Sequence, residues 1–314
     1  MSRIFINLKR FDVPRALGGI CPHENPEQWI RWVIKETISH GLGRLEGMEL
    51  VYLLPEGLLI PARDELESHP APESGNIAIG CQGVFRENIS AGGNFGAFTT
   101  NLPASAAVNL GASWTIIGHS EERKDKLGIL AAYDPDIGGS AQALGRATET
   151  VNRLINQEAL RAFDSGLNVL LCIGETAEQR GEGSFKEQQP RIQTALHSQV
   201  EIGVGGVAAY LAKQKLAIGY EPIWAIGPGK TPPGAQYIGF VSDYIKKSCK
   251  AIHGFVPPVV YGGGLKEANV EEIAGVETID GGLVALTKFT QPIGFDPNDL
   301  RIIVERYMKR KGTG

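Results

Sequence analysis

The chain has 314 residues, 42% of them hydrophobic and 21% charged, with a formal net charge of −4 at pH 7. That apolar content fills a large core, and the mild negative charge excludes a basic nucleic-acid groove or an anionic membrane surface as partner. There is no 18-residue apolar run, so no membrane span is expected.

The first residues, Met-Ser-Arg-Ile-Phe-Ile-Asn, lack a charged region ahead of a long apolar stretch, which argues against a secretory signal. Residues 3–8 read as a strand and 26–40 as a helix. Strands follow at 50–54 and 77–82, then a helix at 105–110 and a fourth strand at 114–118. Residues 148–165 carry helical period, 169–173 form a fifth strand and 192–199 a further helix. The sixth strand is 216–220, followed by a helix at 235–252, a strand at 259–261, a helix at 270–274 and an eighth strand at 278–284. Asp296, Pro297 and Asn298 open a last helix running to residue 309, and the Lys-Arg-Lys-Gly-Thr-Gly tail is expected to fray.

Eight β-then-α units without a composition break predict one closed parallel (β/α)8 barrel, a single α/β domain over residues 1–314. An open doubly wound sheet is the alternative, but it calls for a glycine-rich turn after the first strand, where this chain has Asn7-Leu-Lys-Arg-Phe-Asp. Residues 11–26 and 124–145 exceed the minimal barrel; as β-to-α loops they are expected on the catalytic face. Cys21, Cys81, Cys172 and Cys249 show no metal-ligand spacing, so no metal is expected, and four scattered thiols fit a reducing cytosol.

The chemistry concentrates in Gly219-Tyr-Glu-Pro-Ile-Trp-Ala-Ile-Gly-Pro-Gly-Lys230. Glu221 ends an apolar strand, Pro222 stops the ladder, and an apolar loop with bendable glycine ends follows, suited to lie over a pocket and exclude water. This run resembles the catalytic-glutamate strand and closing lid of triosephosphate isomerase. Trp114-Thr-Ile-Ile-Gly-His-Ser-Glu-Glu-Arg123 and Asn7-Leu-Lys9 are similar to blocks of the same family, and Leu171-Cys-Ile-Gly-Glu175, Gly96-Ala-Phe-Thr99 and Tyr261-Gly-Gly-Gly264 agree more weakly. The blocks keep the family's order from residue 7 to about residue 289.

The resemblance implies a TIM barrel that interconverts glyceraldehyde 3-phosphate and dihydroxyacetone phosphate through an enediolate, in glycolysis and gluconeogenesis. It implies no cofactor, a cytoplasmic location and a homo-oligomer, a dimer in preference. A paralogue acting on a longer sugar phosphate, such as a four-carbon one, is the alternative. A non-catalytic barrel binding a metabolite or protein is the alternative from another class. Such an isomerisation needs a base, an electrophile at the carbonyl oxygen and a cation for the phosphate; Glu221, His119 and Lys9 take these roles by resemblance. In a barrel of this strand order they end strands one, four and six, where side chains converge. Asn7 is the polar orienter, on the same side of the pleat as Lys9 by period two. Glu121 is expected to form a buried pair with Lys9. Ile226 belongs to the lid, and Leu283 is expected to supply the opposite apolar wall. Cys172 is read as packing.

Gly227, Gly264, Ala285 and Leu286 stand where the family grips phosphate with backbone N–H groups. The match is incomplete there: Gly264 replaces a serine, and Ala285 and Leu286 replace a Gly-Gly pair. Leu8 stands for a tryptophan, and Glu122 for an arginine. The loop before Gly96 is enlarged, which changes the segment that makes the family's dimer contact.

Overall fold

The computed structural model describes residues 1–227 and 229–312. Its strands are β1 (Ser2–Asn7), β2 (Met48–Leu54), β3 (Ile77–Cys81), β4 (Trp114–Ile117), β5 (Asn168–Ile173), β6 (Leu216–Tyr220), β7 (Val259–Tyr261) and β8 (Gly281–Val284). They close in sequence order into a parallel barrel, with β1 pairing both β2 and β8. The helices are α1 (Pro26–Ser39), α2 (Leu59–Glu67), α3 (Ala71–Ser74), α4 (Ala104–Asn109), α5 (Ser120–Tyr133), α6 (Ala141–Asp164), α7 (Ala177–Arg180), α8 (Phe185–Gly203), α9 (Ala235–His253), α10 (Val270–Ala274) and α11 (Pro297–Lys311). This is the (β/α)8 TIM barrel expected from the alternation of elements. No described helix is long and apolar enough to cross a membrane.

The strands are near-continuous apolar runs because both of their faces are covered. Side chains alternate between two cores. Ile4 and Ile6 point out toward the helices, while Phe5 joins Val51, Trp114, Leu170, Val260 and Leu283 inside the barrel. Phe5 meets Trp114 edge to face, with centroids 5.1 Å apart. Arg3 and Glu49 form a buried 2.6 Å ion pair, with the Arg3 guanidinium 4.7 Å from the Trp114 ring. At Gly281 a Cβ would lie 1.8 Å from the Arg3 carbonyl, so β1 and β8 approach closely only because this residue has none.

The differences from the sequence expectations have local causes. β8 is shorter than residues 278–284 because Ile279 N–H turns back to the Val276 carbonyl. α8 starts well before residue 192, since Pro190 is accommodated inside it and does not break it. The tail does not fray where it is described: α11 continues to Lys311, whose Nζ donates to the Val276 carbonyl at 3.0 Å; Thr313 and Gly314 lie outside the described residues. Residues 124–145 are not an irregular insertion. They are the body of α5, a short turn and the start of α6, packed through a small separate core of Ile137, Ala143 and Ala147 against Leu127, Leu130 and Ala131. No residue of α5 is fully buried, so it has no strong apolar stripe for periodicity to reveal. Residues 11–26 fold against the loop after β8, around a cavity of about 400 Å³ walled by Phe11, Trp29, Trp32 and Phe295.

Phe5→Ala removes a fully buried ring from the barrel interior and is expected to cost about 3–5 kcal/mol in urea unfolding. A loss under about 1 kcal/mol would mean that this interior is not closely packed.

Candidate active site

Three strand ends bring Lys9, His119 and Glu221 to one mouth of the barrel. A cavity of about 250 Å³ there is lined by Asn7, Lys9, Gln82, Ile116, His119 and Glu121, among others. Glu221 follows β6 and stands beside it, 2% exposed, with its backbone N–H on the Ile173 carbonyl at 2.8 Å. Its two oxygens are both engaged by the start of α5: Oε1 lies 3.1 Å from His119 Nε2, and Oε2 accepts the Ser120 N–H at 3.0 Å. Burial pushes the carboxyl above its ordinary range, opposed by the His119 ring and the Ser120 N–H.

His119 is the N-cap of α5, and its Nδ1 accepts the Glu121 N–H at 3.3 Å. With Nδ1 as acceptor, a neutral ring carries its proton on Nε2, facing Glu221 and the cavity. The preceding Gly118 has φ +75°, a left-handed turn that glycine permits, and its carbonyl accepts Arg123 Nε at 2.8 Å. Half-buried Arg123 also reaches the Cys172 carbonyl at 2.9 Å and Asn152 at 2.7 Å, tying α5 to β5 and α6.

Lys9 is not placed by strand alternation. β1 ends at Asn7, and Lys9 adopts φ +43°, an uncommon conformation for a residue with a side chain. Asn7 Oδ1 holds it by accepting the Lys9 N–H at 3.0 Å, and Gln82 Nε2 braces the turn by contacting Asn7 Oδ1, the Lys9 carbonyl and the Leu53 carbonyl at 3.0–3.1 Å. The Lys9–Glu121 pair forms at 2.5 Å, but it is not the buried pair expected. Its side chains are 34% and 73% exposed, because α5 carries Glu121 out over the rim. Lys9 lowers the Glu121 carboxyl below its ordinary range.

The lid differs from expectation too. Trp224 Nε1 donates to Glu175 Oε1 at 2.7 Å, joined there by Tyr220 OH at 3.0 Å and Tyr237 OH at 2.7 Å. The Arg180 guanidinium stacks on the Trp224 ring at 3.9 Å. Ile226 is 37% exposed, so in this conformation the barrel mouth, not Ile226, buries Glu221. Leu283 sits in the interior core beneath the mouth. Pro228, part of the expected lid, lies outside the described residues.

The phosphate-cradle positions are near the mouth, on the loops after β6, β7 and β8. The backbone N–H groups of Gly227, Gly264, Ala285 and Leu286 donate to no acceptor among the described residues. Gly264 has φ +89°, and a Cβ there would meet nothing within 4 Å. The loop after Leu286 closes as a hairpin, with the Thr287 and Lys288 N–H groups both on the Gly294 carbonyl.

Sequence reasoning missed Gln82, Ser120, Arg123 and Glu175 as supports of this site. Gln82 was open to detection as a lone polar side chain directly after the apolar Ile77–Cys81 strand. Glu175 lay inside a quoted block, but nothing local reveals that three distant donors converge on it.

Residues 58–291 match the family described as triosephosphate isomerase. The triosephosphate isomerase of Carboxydothermus hydrogenoformans is 32% identical over 254 residues, covering 80% of this chain and 84% of the relative. That of a Ruegeria species is 33% identical over 258 residues, covering 81% and 88%. A crystal structure of the Bartonella henselae triosephosphate isomerase has the same fold, with a TM-score of 0.63 at 21% identity and coverage of 98% of both chains. Identity at this level, sustained over about four fifths of the chain, is too extensive to reflect a shared fold alone: the chain belongs to the triosephosphate isomerase family.

Proposed function

We propose that this chain interconverts glyceraldehyde 3-phosphate and dihydroxyacetone phosphate, with Glu221 as base and His119 as electrophile. The observation that carries the reading is the 3.1 Å contact between His119 Nε2 and Glu221 Oε1 at the barrel mouth, which sets a proton acceptor and a proton donor side by side. Glu221 takes a proton from the carbon beside the carbonyl, while His119 Nε2–H hydrogen-bonds to the carbonyl oxygen where negative charge develops. Returning the proton to the neighbouring carbon completes the shift. Lys9, set by Asn7 and paired with Glu121, supplies positive charge at the mouth. Gly227, Gly264, Ala285 and Leu286 offer backbone donors to the phosphate, while Ile226, exposed in this conformation, becomes an apolar wall when the lid closes over the core that holds Leu283.

The curated relatives are named triosephosphate isomerases, which favours the three-carbon pair over a longer sugar phosphate or a binding-only barrel. The same reading includes a cytoplasmic enzyme of glycolysis and gluconeogenesis acting as a homodimer. Phe95 supports the dimer: it is 93% exposed at the tip of the enlarged loop after β3 and held at φ +54°. A coupled assay across three- to five-carbon sugar phosphates tests the substrate. The three-carbon pair is expected to turn over fastest; faster turnover of a longer sugar phosphate would overturn the assignment.

Glu221→Asp is expected to lower kcat roughly 100-fold with little change in KM, because placement of the base matters mainly in the transition state. The reaction needs the ionised carboxylate and burial raises its pKa, so activity declines on acidification already above the ordinary carboxylate range. A kcat/KM profile flat down to pH about 4 would contradict this assignment. In light scattering the wild type is expected to be dimeric and Phe95→Asp monomeric; a monomeric wild type would remove the proposed contact.

A further inference from the structure

The β4–α5 turn that carries His119 is clamped from two sides. Arg123 holds the Gly118 carbonyl, and the Gly118 N–H donates to Glu122 Oε2 at 2.6 Å. Glu122 Oε1 in turn meets Lys126 Nζ at 2.7 Å, and the same ammonium lies 3.0 Å from Glu158 Oε1 on α6. Glu158 is buried, and its Oε2 has no hydrogen-bond partner among the described residues. Two carboxylates thus share one ammonium at the back of the turn.

We propose that Glu122, held by Lys126 and backed by Glu158, is a positioning residue for His119. It fixes the Gly118 peptide and with it the direction of the imidazole. The inference rests on the isomerase reading above. A carboxylate that accepts the Gly118 N–H anchors the turn one residue before the electrophile, where Gly118 in a left-handed conformation has no side chain to restrain it. Only a charged Glu122 also pairs with Lys126; the neutral form keeps the acceptor but loses the tether.

One ammonium cannot balance two carboxylates this close together, and burial, followed by the neighbouring Glu122, pushes Glu158 up to about 9. Burial works against it, yet Glu122 stays below its ordinary range, held there first by Glu158 and then by Lys126 and the Gly118 N–H. Glu158 faces Glu122 and Lys126, with Arg123 nearby, and shares with Glu56, Arg86 and Asp125 a cavity of about 680 Å³. Neutral Glu158 leaves Lys126 to Glu122; once Glu158 ionises it competes for that ammonium and loosens the clamp. The effect on activity is therefore a loss as pH rises through about 9.

The test compares E122A, E122Q and E158Q in the full chain. E122A is expected to lower kcat roughly 10- to 100-fold with KM changed less than about threefold, the scale for a misaligned catalytic group. E122Q, which retains an acceptor for the Gly118 N–H but loses the ion pair to Lys126, restores part of that loss. E158Q moves the alkaline limb of kcat upward by at least about one pH unit, because an amide cannot ionise. Imidazole ¹⁵N shifts of His119 read the clamp without substrate, and E122A is expected to change them at constant pH. If E122A retains kcat within about twofold, if E122Q is as impaired as E122A, or if E158Q leaves the limb in place, the inference is overturned. Should the wild type fail to convert the three-carbon pair, the functional reading fails. The ¹⁵N shifts then decide the clamp: a change in E122A supports it and no change overturns it.

Discussion

A carboxylate removed from water at the mouth of a barrel must be compensated, and the start of α5 does this for Glu221. An unpaired buried charge costs several kcal/mol, so the group either finds donors or takes up a proton. Here one oxygen meets the His119 ring and the other the Ser120 N–H. Both donors belong to a single helix start, so the position of α5 decides how Glu221 is held. Further features serve that contact. At Gly174 a Cβ would come within 1.7 Å of the Glu221 carbonyl, so β5 can end beside β6 only with glycine there. Gly118 turns the chain into the helix, and Arg123 ties its carbonyl to β5 and α6.

Glu175 is a second buried carboxylate, solved differently. It is raised by burial and balanced by three neutral donors, of which Trp224 belongs to the lid. The lid is thus tethered by a hydrogen bond to a group outside the pocket, and any movement of Trp224 toward Glu221 exchanges that bond for another environment. The Arg180–Trp224 stack adds a second contact to the same tether.

Around this core several segments build up the catalytic face. α5 extends into a long helix with a small core of its own; residues 11–26 lean on the hairpin after β8; and the loop after β3 exposes Phe95. These additions leave the barrel's strand order untouched, as expected when catalytic-face loops vary on a constant scaffold. The departures at Ala285 and Leu286 belong to the same face. Among the described residues their backbone N–H groups have no acceptor, while the loop beyond them is closed by hairpin bonds.

The linear order of residues determined the barrel, because eight fully buried parallel strands must be written as apolar runs separated by helices. Through the blocks that resemble a family, it also pointed to Glu221, His119 and Lys9 at the ends of strands six, four and one. What it could not decide was direction and exposure. Lys9 points where a left-handed backbone and Gln82 aim it, not where strand alternation would. The Lys9–Glu121 pair is exposed because α5 leans outward, and Glu175 gathers donors from three places far along the chain from it. α5 itself lacks an apolar stripe because much of its surface is solvent-facing. Local patterns report which residues are buried along an element. The aim of a side chain beyond its end depends on contacts between elements, and only closure of the barrel brings those elements together.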